Sequence, residues 1–198
     1  MKLEIKYNKT VLREFQNKLK MRVKALPTLK NKEAALRALV FETKKQLEEA
    51  KSHVNNLVSQ MEPWKDMWNE FDFSLVKVNK ILETRTKIAG ILVPRFDGIE
   101  VEIQDFPLTV FPDWFNDSIP VLEGLLKSLA KQEITEERLA LLEYARKKAT
   151  QKVNLYEKVQ IPALEDAIRQ IKRYLEDEDN LSKASQKLLK NKLQMAEI

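Results

Sequence analysis

Apolar side chains recur along the first third of the chain in an unbroken alternation of three- and four-residue steps. The series is Leu12, Phe15, Leu19, Arg22, Leu26, Leu29, Glu33, Leu36, Val40, Thr43, Leu47, Ala50, Val54, Leu57 and Met61. Only Arg22, Glu33 and Thr43 interrupt this seam, and sustained spacing of this kind predicts a left-handed coiled coil. A polar residue at such a position costs stability while fixing register. Pro27 falls inside the pattern and removes one backbone hydrogen bond, so a kink is expected there. Pro63 is expected to end or bend the helix, and Trp64, Met67, Trp68, Phe71 and Leu75 continue at helical spacing to about residue 86.

A second helical pattern runs from about residue 136 to 195, with Thr135 as its expected N-cap. Stepping from Leu139 gives Leu142, Arg146, Ala149, Val153, Tyr156, Gln160, Ala163, Ala167, Gln170, Tyr174, Asp177, Leu181, Ala184, Leu188, Asn191 and Met195. Ile161, Leu164, Ile168, Ile171 and Leu175 add a second stripe, so the apolar face is wide there and exceeds what one partner helix covers. At about 1.5 Å per residue, roughly 60 helical residues make a rod about 90 Å long, which is expected to protrude from any compact domain.

Between the two patterns the period changes. Ile99, Val101 and Ile103 alternate with Glu100 and Glu102, the signature of a half-exposed strand. Asp97-Gly98 offers turn chemistry before it and residues 91–93 a partner strand, predicting a β-hairpin. Residues 106–115, rich in Pro and aromatics, read as a loop, followed by a short helix over about 117–129. The expected fold is mainly α: a long antiparallel two-helix coiled coil formed by the N- and C-terminal helices, with a small insertion carrying the hairpin and the short helix. Its expected parts are residues 1–86 (kink near Pro27, break near Pro63), 87–132 at the base, and 133–198. Both termini would then lie together.

Composition narrows the chemistry. With three Gly in 198 residues, at 90, 98 and 124, nothing can cradle a phosphate as a P-loop does. Cys is absent, and His53 has no second His or Cys with which to share a metal, so it reads as a surface residue. The acidic run 176–179 points around its helix in different directions and does not converge on an ion. No catalytic, cofactor or metal site is expected. The longest apolar run, residues 88–93, is far short of the ~18 residues of a membrane span, and residues 1–15 hold no signal-peptide core, so no direct membrane insertion is expected. The net charge of +5 is uneven: residues 1–32 carry ten Lys or Arg against two Glu, whereas residues 165–179 carry six acids against three bases. Only two aromatic residues, Tyr7 and Phe15, lie among the basic residues of 1–32, too few for a nucleic-acid stacking platform. A solvated face or an acidic protein partner is the simpler reading.

Three groups of residues resemble a known family. The segment QKVNLYEKVQIPALEDAIRQIKRYLEDED, residues 151–179, carries Val153, Asn154, Glu157, Ile161 and Pro162. Leu29, Lys30, Lys32 and Leu36 form a Leu-Lys-x-Lys element, and Ala89, Gly90, Val93 and Pro94 an element that opens a central hairpin. In this order the chain resembles the D-subunit family of V-type and A-type rotary ATPases and ATP synthases, the central rotor stalk, and is most similar to its bacterial V-type branch. Pro27 and the bulky 106–115 segment depart from the family pattern. The resemblance implies a non-catalytic shaft whose paired termini enter a hexamer of catalytic and non-catalytic nucleotide-binding subunits. Its base would bind a small companion stalk subunit and a funnel-shaped subunit on the membrane rotor ring. It also implies a cytoplasmic location, peripheral to the inner side of the plasma membrane. These signature positions, with Ile168 and Ile171 on the wide face, are the candidate interface residues. A coiled-coil adaptor or scaffold would explain the helices without the hairpin and signature elements. A basic nucleic-acid binder is opposed by the acidic run at 176–179.

Overall fold

The computed structural model describes residues 5–104 and 114–196, with side chains described through residue 192. Helix α1 spans Lys9–Met61, followed by a 3-10 turn at Glu62–Trp64 and a short helix α2, Lys65–Glu70. Strands β1 (Val76–Ile88) and β2 (Ile91–Ile103) form a two-stranded antiparallel sheet. Helix α3 (Trp114–Asn154) passes through a π-helical turn, Leu155–Gln160, into α4 (Ile161–Ala196). The architecture is thus mainly helical, two long helical stretches flanking one hairpin. Contacts divide the chain into two compact units, Met1–Glu33 with Ala149–Ile198 and Ala34–Lys148.

Helix α1 starts where Asn8 caps it, its side-chain oxygen accepting from the Val11 N–H at 2.7 Å. It continues through Pro27. Val23, whose carbonyl the proline leaves without its usual donor, is 49% exposed, so water can satisfy that group. All fifteen positions of the predicted seam are buried or half-buried. The three polar interruptions each have a partner: Arg22 Nε donates to Gln160 Oε1 at 2.6 Å, Thr150 donates to Glu33 at 3.1 Å, and the Thr43 hydroxyl donates to the Leu39 carbonyl at 2.8 Å. Two of these bridge to the C-terminal helices and pin the register.

In the first unit Phe15 is buried with Leu164, Ala167, Ile168 and Ile171, flanked by Val11, Leu12, Leu19 and Leu175. Rising residue numbers into and along α1 meet falling numbers along the C-terminal helices: the Tyr7 and Tyr174 rings lie 4.9 Å apart, and Lys30 of α1 pairs with Glu157 of the π-helical turn at 2.6 Å. This is antiparallel pairing. In the second unit Lys44 pairs with Glu143 at 2.7 Å and Lys51 with Glu136 at 3.0 Å, again antiparallel.

The Glu136 carboxyl is held below its ordinary value of 4.5, chiefly by the hydrogen bond from Lys51 and then by its charge. A depressed carboxyl contributes stability above the unfolded-state value and loses it as pH falls through the folded one. Substituting Lys51→Ala is expected to return Glu136 to the ordinary glutamate range, read by NMR titration of its side-chain carboxyl. An unmoved titration would show that Lys51 is not the cause.

Several local expectations change. Residues 76–86, read as helix, form most of β1 and supply the partner strand, in place of 91–93, which belong to β2 itself: Val76, Ile81, Leu82, Thr86 and Ile88 pair opposite β2, and strand pairing overrides a weak helical pattern. The hairpin turns at Ala89-Gly90, with φ of 50° and 84°, because a two-residue hairpin loop needs positive φ at both central positions. Asp97-Gly98 instead sits inside β2, where the register slips between Leu82 and Glu83 and Asp97 is the extra residue of a bulge. The helix expected over 117–129 is the first part of continuous α3. Thr135, expected as an N-cap, lies within it and donates to the Lys131 carbonyl at 2.7 Å. Of the 106–115 segment, Trp114 and Phe115 open α3, and 106–113 lie outside the described residues.

Candidate functional site

Among the described residues no group of three or more His, Asp or Glu side chains could hold a metal. Three features are built well enough to read.

The first is the π turn. Its closing backbone bond runs from the Ile161 N–H to the Tyr156 carbonyl, five residues back. Pro162 explains it. A proline has no N–H for the Lys158 carbonyl and its ring collides with that carbonyl in an α turn, whereas the wider π turn makes room. The turn accommodates one extra residue, and the seam moves with it. Up to Gln160 the buried face follows the predicted steps; beyond it Leu164, Ile168 and Ile171 are buried, while Gln170 and Tyr174 are exposed. Ala163 and Ala167 of the first stripe stay half-buried and buried beside Leu164 and Ile168, so the face is wide as far as Ala167; from Ile171 on only the second stripe is covered, by α1.

The second is the end of α4. Every residue over 176–192 is exposed, including Leu181 at 74%, Leu188 at 63% and Leu189 at 62%. Leu181 and Leu188, expected in the seam opposite α1, are not in it, because α1 begins at Lys9 and Phe15 of α1, with Tyr7 just before the helix, is already matched by residues 164–174. Met195 lies beyond the described side chains. An acidic run, 176–179, precedes this leucine-bearing stretch, which also carries Lys183, Lys187, Lys190 and Lys192. Periodicity alone could not separate a seam leucine from an exposed one; the signal lay in the unequal helix lengths.

The third is in the second unit. Phe71, Leu75, Phe115, Ile119 and Leu122 form a buried cluster flanked by Trp68, Val76, Trp114 and Leu126. Beside it a recess of about 430 Å³ is lined by Trp64, Trp68, Trp114, Met61 and Met67, and Trp64 remains 60% exposed.

The sequence-derived positions distribute unevenly over these features. Lys30 and Glu157 come together as an ion pair; both side chains are over 40% exposed, so the pair contributes about 0–1 kcal/mol. Leu29, Val153 and Ile161 are half-buried, Leu36 is fully buried, and Ile168 and Ile171 belong to the first unit's core. Lys32, Asn154 and Pro162 are exposed. Gly90 forms the hairpin turn, and Pro94 is buried beside Val93. Most signature positions thus shape the helix pair and the turn, while the exposed leucines of α4, absent from the signature, are among the large apolar side chains left in water.

The family model for the D subunit of ATP synthase matches residues 11–191. A Borreliella burgdorferi protein that bears the name of the V-type ATP synthase D subunit is 28% identical over 192 residues, covering 96% of this chain and 95% of the relative. Proteins of the same name from Chlamydia muridarum and Chlamydia trachomatis are 28% and 27% identical over 202 residues, covering 98% of each chain.

Proposed function

The chain belongs to the ATP synthase D-subunit family, and from that premise we propose that it is the central rotor shaft of a rotary V/A-type ATPase or ATP synthase. In this reading it is not itself an enzyme. It couples ATP turnover in a hexamer of catalytic and non-catalytic subunits to ion translocation by a membrane ring. The paired helices of the first unit enter the hexamer, and the hairpin-bearing second unit holds the small companion stalk subunit and the funnel-shaped subunit on the ring. The complex would sit at the inner face of the plasma membrane. No described helix is long and apolar enough to cross a membrane, so attachment in this reading goes through partners.

The observation that carries the proposal is the exposed end of α4. Three leucines left in water where α4 runs past the start of its partner helix need another surface, and a surrounding hexamer supplies one. Rotation requires that each catalytic subunit be biased toward a different state, and an asymmetric helix end presents a different face to each.

The test is to remove residues 181–198. These leucines are exposed, so the melting temperature of the free chain is expected to change little. Co-assembly with the nucleotide-binding hexamer should be lost while binding of the small stalk subunit persists. The purified full-length chain should have no ATPase turnover of its own. Intact hexamer assembly by the truncated chain, or turnover by the pure chain after a contamination control, would overturn the reading.

A further inference from the structure

A polar cavity in the second unit is not explained by helix pairing. It has a volume of about 440 Å³ and lies where Arg95 and Phe96 of β2 face Glu49 and His53 of α1 and Lys131 and Arg138 of α3. That volume falls in the range of small-molecule sites, about 300–1,000 Å³. Three cationic side chains and one carboxylate line it, a balance of two positive charges.

The cations are poorly compensated from within. Arg138 Nε is buried with no hydrogen-bond partner. A buried, unpaired guanidinium donor is among the costlier groups to leave unsatisfied, and it calls for a negative charge nearby. The Arg95 guanidinium is no closer than 3.8 Å to its carboxylate neighbour, Asp97, which also accepts from Thr84. Glu49 is itself 3.8 Å from Lys45. The hydroxyls on the wall do not compete: Ser128 and Thr135 donate to the carbonyls of Gly124 and Lys131, at 2.8 and 2.7 Å. The donors that face the cavity are then the three cations together with the His53 ring and the Gln46 amide, which also donates to Glu42 at 3.2 Å.

We propose that this cavity binds a small phosphate-class oxyanion between β2, α1 and α3. A dianion neutralises both surplus charges, where a single carboxylate would leave one. Arginine's planar fork suits phosphoryl oxygens in particular. The phosphoryl group can belong to inorganic phosphate, pyrophosphate or a nucleotide. In the last case Phe96 offers an aromatic wall. The inference is independent of the rotor assignment and is tested on the isolated full-length chain.

The experiment is calorimetric titration with inorganic phosphate, pyrophosphate and ADP at constant ionic strength and mildly alkaline pH, where inorganic phosphate is the dianion. Saturable one-to-one binding is expected. Substituting Arg138→Gln should weaken it about tenfold or more, the loss of one charge-assisted contact. Should that variant fold poorly, Arg95→Gln on the exposed strand should weaken binding without unfolding the chain. Lys172→Gln, in the other unit, should leave binding unchanged. Tighter ADP than pyrophosphate would identify a nucleotide as the natural ligand, and the reverse a free phosphate species. Absence of saturable binding by all three up to ~10 mM, or equal affinity in the Arg95→Gln and Arg138→Gln variants, would overturn the proposal.

Discussion

Replacing Ile171 by Ala is expected to lower the free energy of unfolding by about 2–5 kcal/mol, while Gln170→Ala changes it by about 0.5 kcal/mol or less. Ile171 is fully buried against Phe15, Leu164 and Ile168, so truncation loses transfer free energy and leaves a cavity. Gln170 is its exposed neighbour. The contrast isolates the phase of α4. Had the three-four steps from Leu139 continued unshifted, Gln170 and Tyr174 would line the seam and the two variants would exchange their effects. Chemical denaturation of each variant, with unchanged denaturant dependence, is the measurement. Similar losses for both, or the reverse order, would refute the one-residue shift at the π turn.

Replacing Phe71 by Ala is expected to cost about 3–5 kcal/mol, the range for deleting a buried aromatic ring. At this chain length that corresponds to a fall in melting temperature of roughly 6–20 °C. Phe71 is 4% exposed, with its ring 4.8 Å from that of Phe115 and 5.4 Å from that of Trp68. It joins the end of α2, the base of the hairpin and the start of α3 in one cluster. The loss should therefore spread to hydrogen-exchange protection of the amides at the β1–β2 base, including the Gln104 N–H bonded to the Leu75 carbonyl. Trp64→Ala, removing an exposed ring from the adjoining recess, should cost far less. A small effect of Phe71→Ala, comparable with that of Trp64→Ala, would mean that this cluster does not hold the hairpin base.

The N-terminal seam was legible position by position because α1 has one period throughout, and burial on a helix follows directly from that period. Its polar members Arg22, Glu33 and Thr43 were legible as interruptions. Their partners were not: Gln160 and Thr150 lie more than a hundred positions away in sequence. The alternating residues 99–103 identified a strand correctly, whereas the turn dipeptide was misplaced. Asp97-Gly98 and Ala89-Gly90 both offer a glycine after a residue able to turn, and the choice between a turn and a bulge depends on which register pairs β1 with β2.

Periodicity, the scarcity of glycine and the alternation after Asp97 are local properties, and they suffice for a mainly helical chain of two long stretches around a hairpin. The same properties leave open which of two adjacent stripes on α4 meets α1, because both are apolar. Pro162 and the π turn before it settle that choice, together with the cross-helix contacts of Phe15. Local pattern is equally silent on Leu181 and Leu188, which repeat like buried leucines yet stand in water because the partner helix begins at Lys9. Burial is a property of two surfaces meeting, and a one-dimensional pattern describes one of them.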